Sequence, residues 1–258
     1  MIKLKTDKKD IACIREGADI LSKAHGEIAK AIQAGVTTKK LDQIAETYIR
    51  LAGAEPAFKG YRGFPATICA SVNHQVVHCT PNDKVLKEGD IVAIDCGVYH
   101  KGFYSDSAFT YAIGNVGKEL VNLLAAVKSA LYKGIAAATL GNHVGDISYA
   151  IMQEINKHGY GVVKTFSGHG IGRSLHEDPN IPNYGVKGRG PKIKEGMIFA
   201  IEPIANLGKG ATAQKSAWCV ESKDGSPSAH FELMVGIIDG KTEMLTTFKH
   251  IEEQIDHE

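Results

Sequence analysis

Residues 87–95 read KEGDIVAID and residues 194–202 read KEGMIFAIE. Each is Lys-Glu-Gly, a short apolar run, and one carboxylate: Asp95 in the first copy, Glu202 in the second. Runs of this length, bounded by a glycine turn, predict buried β-strands. The echo is longer than nine residues. Leu41, Ile49 and Gly53 recur 106 residues later as Ile147, Ile155 and Gly159, and Gly89, Ile94 and Asp95 recur 107 residues later as Gly196, Ile201 and Glu202. Leu41, Ile44, Ala45, Tyr48 and Ile49 share one helical face stopped by Gly53. Asp146 is the expected cap of a second helix carrying Ile147, Ala150, Ile151 and Ile155, ended by Gly159. A helix–strand unit over about 37–115 is therefore expected again over about 142–250. A helix from Gly117 to about Ala137 joins the two. The prediction is one α/β domain (α+β by its strand arrangement) spanning residues 1–258. Its halves would pack about a pseudo-twofold axis, with a curved sheet and helices on the outer face.

Bulk composition narrows the function classes. A net charge of +1 gives no reason to expect nucleic acid or an anionic membrane as main partner. No stretch approaches about 18 consecutive apolar residues, which argues against a membrane span. The lysine-rich start lacks a following apolar segment, so a secretory signal is not expected. The five cysteines (Cys13, Cys69, Cys79, Cys96, Cys219) are odd in number and form no C-x-x-C pair. That speaks against a disulfide scaffold and a cysteine zinc site, and for a reduced, cytoplasmic chain with small buried thiols.

The chemistry lies in acids that close or enter apolar strands. Asp95 ends the first echoed strand. Asp106 lies in the alternating SDSAFTYAIG, and the glycines of CGVYHKGFYSD predict a hairpin that returns Asp106 toward Asp95. Glu202 follows Phe-Ala-Ile and should be buried, and Glu232 enters the strand HFELMVGIID. Carboxylates converging without counter-charge repel one another, and no matching set of buried Lys or Arg is visible. Divalent cations are the natural neutraliser. GHGIGRSLHED adds His169 and His176, too far apart for a helical zinc pair. Its glycines imply close backbone approach, which favours a site, while the lack of a Lys-Ser/Thr end argues against a phosphate loop. His78 and His74, in VNHQVVHCTPND, are ambiguous from the residues alone. An oxygen-rich set with one imidazole suits Mn, Fe(II), Co or Zn, and such a pair of ions can activate water for hydrolysis.

The series VAIDCG, FYSDSAF, GHGIGRSLHEDP, AIEPIAN and AHFEL, in this order and over nearly the whole chain, resembles the type I methionine aminopeptidases of the minimal bacterial form. These have the pita-bread fold, whose curved sheet is mostly antiparallel. The resemblance implies removal of N-terminal methionine from new polypeptides, with a small second residue favoured. It implies two divalent metal ions held by Asp95, Asp106, His169, Glu202 and Glu232, with Asp106 and Glu232 bridging and Glu202 shuttling the proton of the attacking water. His78 and His176 match histidines that contact the substrate. Tyr61, Phe64, Cys69, Trp218, Phe58 and Leu175 match the pocket for the methionine side chain. Departures are Leu175 and Phe58, where relatives often carry Phe and Cys, Phe64 in place of a frequent Tyr, and Leu233 in place of a frequent His. The resemblance further implies substrates beginning with Met, brief contact with the ribosome, no specific nucleic acid or membrane partner, and a cytoplasmic monomer.

Rival readings are separable by sequence. Type II relatives carry an insertion between the last two glutamates, for which Glu202 to Glu232 is too short. Prolidase-like relatives usually carry an N-terminal domain, whereas the first helix here is expected almost at once. A catalytically dead binding relative would be expected to have lost metal-ligand positions, and all five are filled.

Overall fold

A computed structural model describes residues 2–255; residue 1 and residues 256–258 of the expected domain lie outside the described residues. The chain runs α1 (Lys8–Ala31), α2 (Thr38–Leu51), β1 (Glu55–Pro56), β2 (Ile68–Val72), β3 (Gln75–Val77), β4 (Ile91–His100), β5 (Phe103–Ala112), α3 (Lys118–Ala137) and α4 (Val144–Lys157). It continues with β6 (Gly161–Val162), β7 (Ser167–Gly170), β8 (Glu177–Pro182), β9 (Ile198–Ile201), β10 (Ile204–Asn206), β11 (Thr212–Gln214) and β12 (Val220–Ser222). It closes with β13 (Ser228–His230), β14 (Leu233–Ile238), β15 (Lys241–Met244) and α5 (Lys249–Ile255).

The helices start where side chains satisfy their free amides. Asp7 caps α1 by accepting from the Lys9 amide at 2.7 Å, and Thr37 caps α2 by accepting from the Lys40 amide at 3.2 Å. The α4 start differs from expectation. His143 is the N-cap and Asp146 lies one turn inside, where its carboxylate accepts from the His143 amide at 2.7 Å. An acid three residues past the cap satisfies the same orphan donors from the other side. Gly53 and Gly159 stop α2 and α4 with φ of 76° each, a left-handed geometry that glycine adopts without strain.

Every strand pairing is antiparallel. One sheet pairs β1, β2 and β5 with β4, and another runs β15–β14–β9–β7–β8. Two three-stranded sheets, β13–β10–β6 and β11–β12–β3, complete the set. The first two sheets meet at one bridge, where Ala108 and Glu232 exchange backbone hydrogen bonds of 2.8 and 3.3 Å. The main core lies between helices and sheets, with Leu41, Ile49, Ile94, Ile147, Ile155, Phe199 and Ile201 buried in it. Leu233, at the position where His was noted in relatives, also packs there. Among the described residues α3 is the helix long and apolar enough to cross a membrane. Its buried residues, Leu123, Val127, Leu131 and Ile135 among them, belong to the main core.

The disulfide expectation is corrected. Cys79 and Cys219 are bonded across 140 residues of sequence, leaving Cys13, Cys69 and Cys96 free. Pairing of β3 with β12 brings them together, a proximity that no local spacing could reveal.

Candidate active site

The register of the sheets brings the acids to one place. On β4 and β5, Asp95 lies opposite Ala108 and Asp106 opposite Gly97. Since residues two apart share a strand face, the two aspartates are diagonal neighbours on one face. On β14 and β9, Leu233 faces Ile201, so Glu232 and Glu202 emerge at adjacent strand ends, and Ala200 faces His169 on β7. The Ala108–Glu232 bridge then joins the two sets. Glycine is required around His169. A side chain at Gly168 would strike the Ala200 carbonyl, and one at Gly170 the Asp178 carbonyl. The close approach predicted from GHGIG is thus a packing of three strands.

A cavity of about 330 Å³ opens over this floor. Its lining includes Asp95, Asp106, His169, Glu202 and Glu232, together with His78, His176, Tyr61, Phe64, Cys69, Trp218, Phe58 and Leu175. Every residue expected at the site therefore borders one cavity. The aspartate and glutamate that close the echoed strands are not fully buried. Glu202 keeps 13% of its side chain exposed because it faces the cavity rather than the core.

The floor is electrostatically frustrated without cations. Burial raises the Asp95 carboxyl to about 7. Burial first, then Glu232 and Asp95, lifts Asp106 well above the ordinary carboxylate value. Glu202 is lifted by burial and then by Asp95 and Asp106, and Glu232 by burial and then by Glu202 and Asp95. The buried oxygens Asp95 Oδ1, Asp106 Oδ1 and Glu232 Oε1 lack hydrogen-bond partners among the described residues. His169 Nδ1 lies 2.9 Å from the Gly170 carbonyl, which accepts its proton and leaves Nε2 as a lone-pair donor. Nε2 lies 3.8 Å from both Asp106 Oδ2 and Glu202 Oε1. Ligand atoms of Asp106, His169 and Glu232 lie within 4.8 Å of one another. Orphaned carboxylate oxygens and a correctly oriented imidazole fit a divalent metal.

The wall is apolar and aromatic. Phe64 meets Trp218 edge to face at 5.3 Å between ring centroids. Phe58 packs over Gly97, where any side chain would collide with its ring. Tyr61 Oη lies 2.9 Å from His176 Nδ1, and the His176 ring lies 4.4 Å from that of His169. Burial, then His169, holds the His176 imidazole well below its ordinary pKa, and burial lowers His78 as well.

Some lining residues escaped the sequence reading. His230 is buried with Nε2 3.8 Å from Glu202 Oε2. It sits two residues before Glu232 and so shares its strand face, a signal already present in AHFEL. Phe166, which meets His78 edge to face at 5.3 Å, and Arg62 and Gln214 at the cavity also had no motif to mark them.

An acid-floored, apolar-walled cavity on this fold defines a metal-dependent hydrolase of the pita-bread class. Residues 12–238 match metallopeptidase family M24. The methionine aminopeptidase of Clostridium acetobutylicum is 44% identical over 248 residues, covering 95% of this chain and 99% of that protein. The crystal structure of methionine aminopeptidase from Rickettsia prowazekii superposes with TM-score 0.93 at 39% identity, over 96% of this chain and 100% of that one. Prolidase from Pyrococcus furiosus, at 24% identity and TM-score 0.78, shares the fold over 95% of this chain but 65% of its own. The chain belongs to metallopeptidase family M24, among its methionine aminopeptidases.

Proposed function

We propose that this chain removes methionine from the N-terminus of polypeptides with a small second residue, using two divalent ions of the Co, Mn, Fe(II) or Zn type. The observation that carries the reading is the set of partnerless carboxylate oxygens beside His169 Nε2, under a wall of apolar and aromatic side chains. Asp95, Asp106, His169, Glu202 and Glu232 would hold the ions, Asp106 and Glu232 being the most buried of these acids. When bound, the ions supply a low-pKa water and polarise the scissile carbonyl.

The chain's own residues do the rest. Tyr61, Phe64, Cys69, Trp218, Phe58 and Leu175 enclose the methionine side chain and exclude water from it. Leu175 and Phe58 are bulky and apolar, so the preference for Met over polar residues follows from the wall. Glu202, which lines the cavity directly after β9, takes a proton from the attacking water and delivers it to the leaving amine. Tyr61 Oη donates to His176 Nδ1, so His176 Nε2 keeps its proton and donates to the carbonyl oxygen as charge develops. His78, which also lines the cavity, steadies the scissile amide. With this substrate go a cytoplasmic location, a monomer, and brief contact with the ribosome where new chains emerge.

Hydrolysis rates for Met-Ala-Ser and Ala-Pro peptides, measured after loading the metal-free protein with each ion, test the reading. Faster cleavage of the Ala-Pro peptides would assign the site to an Xaa-Pro peptidase instead. The chain is also read as an internal duplication over about 37–115 and 142–250. Supporting it, α2 and α4 have the same 14-residue length and each is followed by a left-handed glycine, Gly53 and Gly159.

A further inference from the structure

The disulfide is set into the wall of the cavity. Cys79 directly follows His78 and Cys219 directly follows Trp218, and both preceding residues line the cavity. Each cysteine is anchored on its own side. The buried Cys79 accepts at its carbonyl from the Ala70 amide at 2.8 Å, which ties it to β2. The half-buried Cys219 accepts at its carbonyl from the Lys215 and Ser216 amides at 2.9 and 3.3 Å, closing the turn that carries Ala217 and Trp218.

Without the bond, this hairpin would be held to the body by few backbone hydrogen bonds and by Val220, which is buried against Val76, Val77, Val163 and Ile204. β12 pairs with β3 only at Val220–Val77 and Glu221–Gln75, with an irregularity between the two. One further backbone bond runs from the Ser222 amide to the His74 carbonyl at 2.9 Å. Residues 213–217, the end of β11 and the start of the turn, are exposed. His78 itself has φ of 62°, a left-handed conformation unusual outside glycine that the neighbouring structure must hold. The covalent link therefore joins β3 and β12 where they share two register pairs, next in sequence to two residues that line the cavity.

We propose that Cys79–Cys219 is a redox-sensitive tie that positions Trp218 and His78, so that binding of the methionine side chain depends on the thiol–disulfide state of this pair. The proposal rests on reading the cavity as the methionine site. The reaction is thiol–disulfide exchange with a dithiol reductant. One thiolate attacks a cysteine sulfur to form a mixed disulfide, and the second thiol displaces the protein. Two electrons and two protons pass to Cys79 and Cys219, and the reductant leaves as its own disulfide. Oxidation reverses this balance. The other buried thiols do not compete, because Cys69 and Cys96 are shielded from a dithiol in solution by burial.

Trp218 is the chain's single tryptophan, so its emission reports on the tie directly. A disulfide one residue from an indole quenches its fluorescence by accepting an electron from the excited state. The protein is treated with dithiothreitol, and the gain of two titratable thiols is verified. Reduction should at least double the Trp218 emission, shift it to the red, and raise KM for Met-Ala-Ser about five-fold with kcat changed less than about two-fold. The double variant C79S/C219S should show the reduced protein's emission and KM and ignore the reductant. That control also separates any effect of the dithiol on the bound metal. Unchanged emission and KM after verified reduction would overturn the proposal, as would a double variant that still responds. If the variant fails to fold, the reduced and oxidised native protein decide alone. If neither state hydrolyses Met peptides, the functional reading fails, while the emission still shows whether the bond positions the wall.

Discussion

The floor and the wall of the cavity are built by opposite means. Asp95, Asp106, His169 and Glu232 sit on or beside paired strands, where each direction is fixed by register. Tyr61 begins a single 3₁₀ turn whose Arg62 has φ of 50°, Leu175 and His176 lie between β7 and β8, and Trp218 precedes a disulfide in a hairpin turn. The acids and the imidazole rest on the sheets, and the wall, Cys69 on β2 apart, rests on connections. The difference teaches that reaction and selectivity can be altered separately in this molecule.

The contrast is broken most severely by D106N. Asp106 neighbours Asp95 across the hairpin and His169 across the seam. Loss of this carboxylate from the cluster should lower activity by at least about 10³-fold while circular dichroism stays native. A variant that kept its full metal stoichiometry in atomic absorption would remove Asp106 from the centre. Next comes E202Q, expected to cut kcat by about 10²–10⁴-fold with a smaller change in KM; near-native turnover would deny Glu202 the proton. On the wall the effects should be milder. Y61F leaves His176 without its Nδ1 partner and should lower kcat about three- to ten-fold, and an equal loss in H176A and in the double variant would show that the two act as one unit.

The smallest effect expected is a pH dependence confined to the floor. The raised carboxyl pKa values, Asp95 at about 7 among them, mean that the folded metal-free protein holds protons the unfolded chain has released. A folded pKa above the unfolded one gives stability that is present at low pH and lost as pH rises through the folded value. Metal binding expels these protons, so ions should bind more tightly toward pH 8 than at pH 6. The gap in Tm between loaded and metal-free protein should accordingly widen over that interval. A constant gap would mean that the acids are already ionised.

Much of this was legible in the chain because strand ends and glycines carry local signatures. The doubled KEG motif located both acid-bearing strands, the Lys101-Gly102 turn returned Asp106 toward Asp95, and GHGIG announced the tight strand packing around His169. Resemblance, rather than residue pattern, marked Tyr61, Phe64 and Trp218, because single aromatics in turns have no period to betray them. The bond between Cys79 and Cys219 was missed outright. Pairing of β3 with β12 depends on how distant segments cross, and spacing within either segment says nothing of it. The cap of α4 was misplaced by one turn, since an acid can satisfy a helix start from outside or from inside.

The Ala108–Glu232 bridge has a mechanical consequence. Two sheets are sewn together at a single rung, reinforced by the Ser107 hydroxyl donating to the Glu232 carbonyl at 2.9 Å and the Thr110 hydroxyl donating to that of His230 at 2.7 Å. The acids of both sheets crowd behind that rung, and where they ionise they repel one another. Ions drawn into the gap would act as a clasp, converting mutual repulsion into tension across the seam. Amide deuterium exchange at Ala108 and Glu232 would then slow on loading and quicken on chelation, so the catalyst's stitching would be read from the backbone itself.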